Sequence, residues 1–172
     1  MYGARAVLKE VVEAAPRADV RVIVVWLPMV ETDNAKAARE AARMFRDERV
    51  TQFYDPQRLL GLAFPRDVFP NCIHDALRAT PPEHPFHADL QAWAESPPDQ
   101  QVMWDAVLFY DRNGEWGERP PKPRRWSKQV AFFENAGPGE PTATFFHNDC
   151  KAPPVDSDWH IEVRNGLQAI AR

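Results

Sequence analysis

The chain has 172 residues, is 44% hydrophobic and 27% charged, and carries a net charge of −4. This is ordinary globular composition with enough length for a sizeable core, and no basic block is longer than the pair Arg124-Arg125, which argues against a nucleic-acid partner. The longest apolar run, Val22 to Met29, is far below the roughly 20 residues that cross a bilayer. The opening "MYGARAVLKEVVEAA" has charges where a signal peptide needs its apolar stretch, so the expectation is a soluble, cytoplasmic protein without a membrane partner.

Val7, Leu8, Val11, Val12 and Ala15 recur at helical spacing and predict an amphipathic helix over residues 3 to 15. "VRVIVVW", 20 to 26, is a β-branched run and reads as a buried strand stopped by Pro28. Thr32 or Asp33 is a suitable cap for a second helix carrying Ala38, Ala41, Ala42 and Phe45 on one face. "RVTQFY", 49 to 54, reads as a shorter strand. Asp55-Pro56 then has the form of a helix start, continued by Leu59, Leu60 and Ala63. Strand, helix, strand, helix predicts parallel strands joined by right-handed crossovers.

Residues 65 to 101 read as an insertion with two short helices, Asn71 to Ala79 and Pro85 to Glu95, between proline pairs at 81–82 and 97–98. The core resumes with "VMWDAVLFYDRNGEWG". A strand at 105 to 110, apolar on both faces, meets an Asn113-Gly114 turn of the hairpin kind, with a return strand from Glu115. "RPPKPRRW", 119 to 126, reads as extended polyproline-like chain. Beyond the Gly-Pro-Gly at 137, Thr142 to His147 is a candidate strand. Trp159 to Arg164 is another, because Trp159, Ile161 and Val163 alternate with polar residues.

The stretches "GARAVLKEVVEA", "VRVIVVWLPMVETDNAKAAREAARMFRDERVTQFYDPQRLLGLAF" and "WDAVLFYDRNGEWG" resemble a group of bacterial thioredoxin-like proteins, over about Ala4 to Trp126. The central part is also similar to the middle of peroxiredoxin-type chains. The resemblance implies an α/β, thioredoxin-like three-layer sandwich with a mixed central sheet. It makes residues 1–172 one domain, with core at about 3–64 and 102–126, insertion at about 65–101 and C-terminal extension at about 127–172. It implies a thiol–disulfide or peroxide redox role with a protein thiol or disulfide as partner.

In such proteins a Cys-x-x-Cys opens the first core helix, where the helix N-terminus stabilises the attacking thiolate. That helix begins here at or just before Met1. The chain therefore reads as a truncated form without its redox motif or the central strand leading into it, inactive as a dithiol reductase. Three explanations stay open: a start assigned to an internal Met, for instance where an upstream selenocysteine codon was read as stop; a degenerate domain whose sheet is filled by 142 to 147; or chance likeness. The alternative function is a catalytically silent thioredoxin-like module that binds a protein partner. Oligomeric state is not legible.

Two cysteines 78 positions apart, Cys72 and Cys150, make no disulfide framework and read as separate cytosolic thiols. Cys72, His74, His84 and His87 are soft and imidazole donors within 16 residues, suited to zinc or copper, but their spacing matches no standard site, so no metal is expected and they read first as helix-surface and loop residues. Trp104 stands by the resemblance where a cis-proline is usual. With Asp105 it would form a substrate wall and a carboxylate proton carrier, or simply a core indole and a strand-start acid. Trp26 and Pro28 end the first strand, at the sheet edge where ligands gather in α/β folds, so Trp26 is expected to line a cleft with Trp104 or to fill the core. Cys150, with Lys151 adjacent and His147 three residues before, has positive charge at hand to activate a thiol. No phosphate loop, Gly-x-Ser-x-Gly or His-Glu-x-x-His occurs, and no cofactor is implied.

Overall fold

The structure is a computed structural model that describes residues 2–84, 86–132, 143–147, 150 and 159–170. The first helix, α1 (Tyr2–Val7), continues as a π-helical stretch, Leu8–Glu13. Arg49 fastens its end. The guanidinium donates to the carbonyls of Ala15 and Val12, each at 2.7 Å, and pairs with Asp47 at 2.8 Å, so one side chain satisfies helix-end acceptors and ties the helix to the next strand pair.

β1 (Val22–Trp26), α2 (Ala35–Ala42) and β2 (Val50–Tyr54) form the expected crossover, with β1 and β2 parallel and Val22 opposite Val50. The cap of α2 is Asn34, whose side chain accepts from the amides of Lys36 and Ala37 at 2.9 and 3.1 Å. Asp33 instead accepts from Met29 and Val30 and closes the preceding turn. Asp55 accepts from the Leu60 amide at 2.9 Å, and the helix α3 (Leu59–Ala63) starts later than the proline suggested, running on as a π-helical turn, Phe64–Val68. The insertion holds α4 (Cys72–Ala79) and α5 (His87–Glu95), close to their expected bounds, though Pro85 lies outside the described residues.

β3 (Ala106–Phe109) is followed by the expected turn, the Gly114 amide donating to the Asp111 carbonyl at 2.9 Å. No return strand begins at Glu115. The antiparallel partner is β4 (Arg125–Phe132), which crosses the expected boundary at 126 and pairs in turn with β5 (Ala143–His147). Trp159 to Arg164 is not a strand but the first half of α6 (Trp159–Ile170). The alternation there is short, whereas Val163 and Leu167, one helical turn apart, pack on the core. Gly166 lies so close to Phe109 that a Cβ would fall 2.0 Å from its ring.

The fold is mixed α/β, but among the described residues the strands do not form the expected single mixed sheet. β1–β2 is one purely parallel sheet and β3–β4–β5 a separate antiparallel one. β1 and β3, expected in one sheet, share a cover rather than a ladder: Val22 and Val107 both lean on Ala6, Val11 and Val163 of α1, its π extension and α6. Apolar residues on both faces demand burial, which helices supply as well as strands do, so the pattern does not say which edges are bonded. Residues 143–147, offered as filler for the sheet, add to the far side of β4 instead.

The second core cluster lies across the other face of β3. Phe64, Ala76, Leu90, Met103 and Trp126 are buried there, with Ala106 and Leu108 packed against them from β3. Alternation along β3 thus sends Val107 to the α1–α6 layer and Ala106 and Leu108 to the α3–α5 layer. The same period on β4 buries Ser127 against α6, its hydroxyl donating to Glu162 at 2.6 Å, and turns Trp126 the opposite way.

Candidate functional site

Lys128 follows Trp126 at the two-residue period and therefore enters the protein on the α5 side of β4. It is only 6% exposed. Its Nζ donates to the Gln129 carbonyl at 2.8 Å, lies 4.6 Å from the ring centre of Trp93 on α5 and 5.7 Å from that of Trp104. Among the described residues no carboxylate reaches it within ion-pair distance. Burial without a counter-ion pulls the amine down to about 8, with the Asp105 charge opposing the change.

The segment before β3 builds the rest of this corner. The Met103 amide donates to the Gly61 carbonyl at 2.8 Å, and a Cβ at Gly61 would lie 2.6 Å from Val102, so α3 and this segment touch through bare backbone. Met103 turns inward and Trp104 outward, the latter 43% exposed as the outer wall of the Lys128 cage. Asp105 has φ 45°, a left-handed backbone that a non-glycine residue adopts only where its surroundings enforce it. Here its carbonyl accepts from the Gln129 amide at 2.9 Å, which locks it beside Lys128 on β4. The protein around the Asp105 carboxyl raises it above its ordinary value, although the residue as a whole is open to solvent; Lys128 opposes that rise and Asp33 adds to it.

Trp104 and Asp105 were both legible as candidates. Lys128 and Trp93 were not. The signal for Lys128 was a lysine in phase with a strand tryptophan, hidden because 119 to 126 read as polyproline chain. Trp26 is half-buried, and its indole N–H donates to Gln52 of β2 at 3.2 Å. No ring contact joins it to Trp104 among the described residues, and Pro28 is half-buried in the coil after β1.

The cysteines correct the sequence reading. Cys72 and Cys150 are not separate thiols but a disulfide, with Cα atoms 5.0 Å apart. Cys72 is the first residue of α4. Cys150 has φ 53°, and Lys151, offered as its activator, lies outside the described residues. Both cysteines are half-buried against the Phe64–Trp126 cluster that also backs Trp93, so the disulfide and the lysine cage share one wall.

No family model, curated protein or solved structure matches this chain.

The histidines of the insertion do not converge with Cys72. His74 is exposed on α4, His84 accepts from the Phe86 amide at 3.3 Å, and His87 Nδ1 lies 2.9 Å from the Thr80 carbonyl. Among the described residues no three His, Cys, Asp or Glu side chains gather where a metal ion could be held. No described helix is long and apolar enough to cross a membrane.

Proposed function

We propose that this protein is a thioredoxin-like member of a thiol–disulfide redox family, and that in this chain the Cys72–Cys150 pair carries the electrons. The parallel β1–β2 unit, the antiparallel β3–β4 pair and the closing helix α6 support the family reading by their order. The observation that carries the function is the disulfide itself, formed between half-buried cysteines 78 residues apart. In a reducing compartment, where the sequence reading puts the chain, disulfides are transient and serve exchange or sensing.

A dithiol reductant supplies both electrons. Its thiolate attacks Cys150 Sγ and expels Cys72 as a thiolate, which gains from the positive end of α4. The reductant's second thiolate then attacks the mixed disulfide, leaves as a cyclic disulfide and releases Cys150, whose thiolate takes up a proton. In reverse, the reduced pair gives two electrons to a substrate disulfide. This pair is then the redox couple within the chain.

Folded protein equilibrated in graded dithiothreitol buffers, then alkylated and weighed, is to show both thiols appearing together and reversibly. Insulin reduction is to exceed the dithiothreitol background and to fall to it in Cys72→Ser and Cys150→Ser. A pair that stays closed in the folded protein, or turnover equal in wild type and variants, overturns the proposal. The second reading, a silent module that binds a protein partner, draws on different features: the unpaired edges of β1 and β3 among the described residues, and Ile23 and Phe53 exposed at 62% and 55%.

A further inference from the structure

Buried lysines are ordinarily held by a carboxylate, because an unpaired buried charge is costly. Lys128 has one hydrogen bond, to the Gln129 carbonyl, and two indoles in place of a counter-ion. The indole faces favour the ammonium and burial disfavours it; in the neutral amine the lone pair and the second N–H have no protein partner among the described residues. One wall of the cage is the exposed Trp104, which among the described residues has no hydrogen bond or ring stack of its own to fix it in place and which a single side-chain rotation would move aside.

We propose that Lys128 is a reactive amine that condenses with small, neutral carbonyl compounds, whose apolar body lies between Trp93 and Trp104. The nitrogen lone pair adds to the carbonyl carbon, and the carbonyl oxygen takes a proton to give a carbinolamine. Loss of hydroxide as water then forms the C=N bond, so that one aldehyde and one amine yield one imine and one water. The charges nearby select the class. Asp105 acts on Lys128, and Asp33 acts on Asp105. Both are acidic, so they disfavour a 2-oxo acid and leave an uncharged aldehyde as the fitting partner. The amine chemistry needs no electrons from the disulfide, although both sites pack on the Phe64–Trp126 cluster.

At pH 7 an amine with the Lys128 value of about 8 has about 300 times the free-base fraction of one at the ordinary 10.5. The test is reductive trapping: whole folded protein with propanal and cyanoborohydride at pH 7, then peptide mapping, which separates Lys128 from the α-amino group. Lys128 is to be alkylated at least about tenfold faster than the exposed Lys9, Lys36 and Lys122, allowing for slower entry to the cage. Glyoxylate in place of propanal is to label it more slowly. Lys128→Arg is to remove that adduct and leave the others. Labelling of Lys128 no faster than of the exposed lysines overturns the reactive amine, and glyoxylate labelling faster than propanal overturns the ligand class.

Discussion

Replacing Lys128 with methionine removes a buried cation whose burial can be put on an energy scale. The amine falls from 10.5 to about 8 in the folded protein, and at about 1.4 kcal/mol per unit this corresponds to about 3 kcal/mol. The sign follows from proton binding. Below pH 8 the amine is charged in both states, and the folded state bears the full cost of holding it away from water. Between pH 8 and 10.5 the folded state has released its proton while the unfolded state keeps one. Stability therefore rises with pH across that window and levels off above it. In Lys128→Met this component vanishes. Wild-type stability relative to the variant is expected to increase by about 3 kcal/mol from pH 7 to pH 10.5, whatever constant offset repacking adds. Other titrating groups occur in both proteins and cancel. Urea unfolding of the two oxidised proteins at several pH values measures the difference. Parallel curves from pH 7 to 10.5 refute the claim that Lys128 is buried without a compensating charge.

Gly166→Ala places a methyl 2.0 Å from the Phe109 ring and is expected to destabilise by about 1–3 kcal/mol as α6 is pushed off β3; an unchanged thermal midpoint contradicts that packing. Cys72→Ser or Cys150→Ser opens a 78-residue loop and is expected to cost about 4.5 kcal/mol on the chain-entropy model, read by urea unfolding against oxidised wild type. Arg49→Met removes the guanidinium that holds the Asp47 carboxyl down at about 2, so carboxyl titration by NMR is to show Asp47 rising toward 3.8; a carboxyl that stays put refutes the pairing. In wild type the stabilisation from that pair is complete above the unfolded value and fades as pH falls through the folded one.

Sequence alone determined the local elements. The β-branched run of β1, the alanine face of α2, the apolar run of β3 and the two short helices of the insertion each follow from which neighbours three, four or two residues away are apolar. That is information within one turn or one strand. The parallel β1–β2 unit followed too, because a short strand–helix–strand connection leaves little choice. Trp104 and Asp105 were visible as candidates through the resemblance, which puts Trp104 where a cis-proline is usual before the buried strand.

Tertiary structure decided everything that depends on which elements meet. The alternation of Trp159, Ile161 and Val163 fitted a strand until Val163 and Leu167 found Ala6 and Val11, which favours a helix. β1 and β3 look alike in sequence, yet one helical layer covers both and among the described residues no ladder joins them. Cys72 and Cys150 are distant in the chain and bonded in space. Lys128 is chemically ordinary until the pairing of β4 with β3 sets its direction and α5 brings Trp93 over it. Propensity and periodicity act over a few residues. Disulfide pairing, strand-edge pairing and the desolvation of a single amine are set by contacts between residues far apart in the chain, which exist only once the layers have closed on one another.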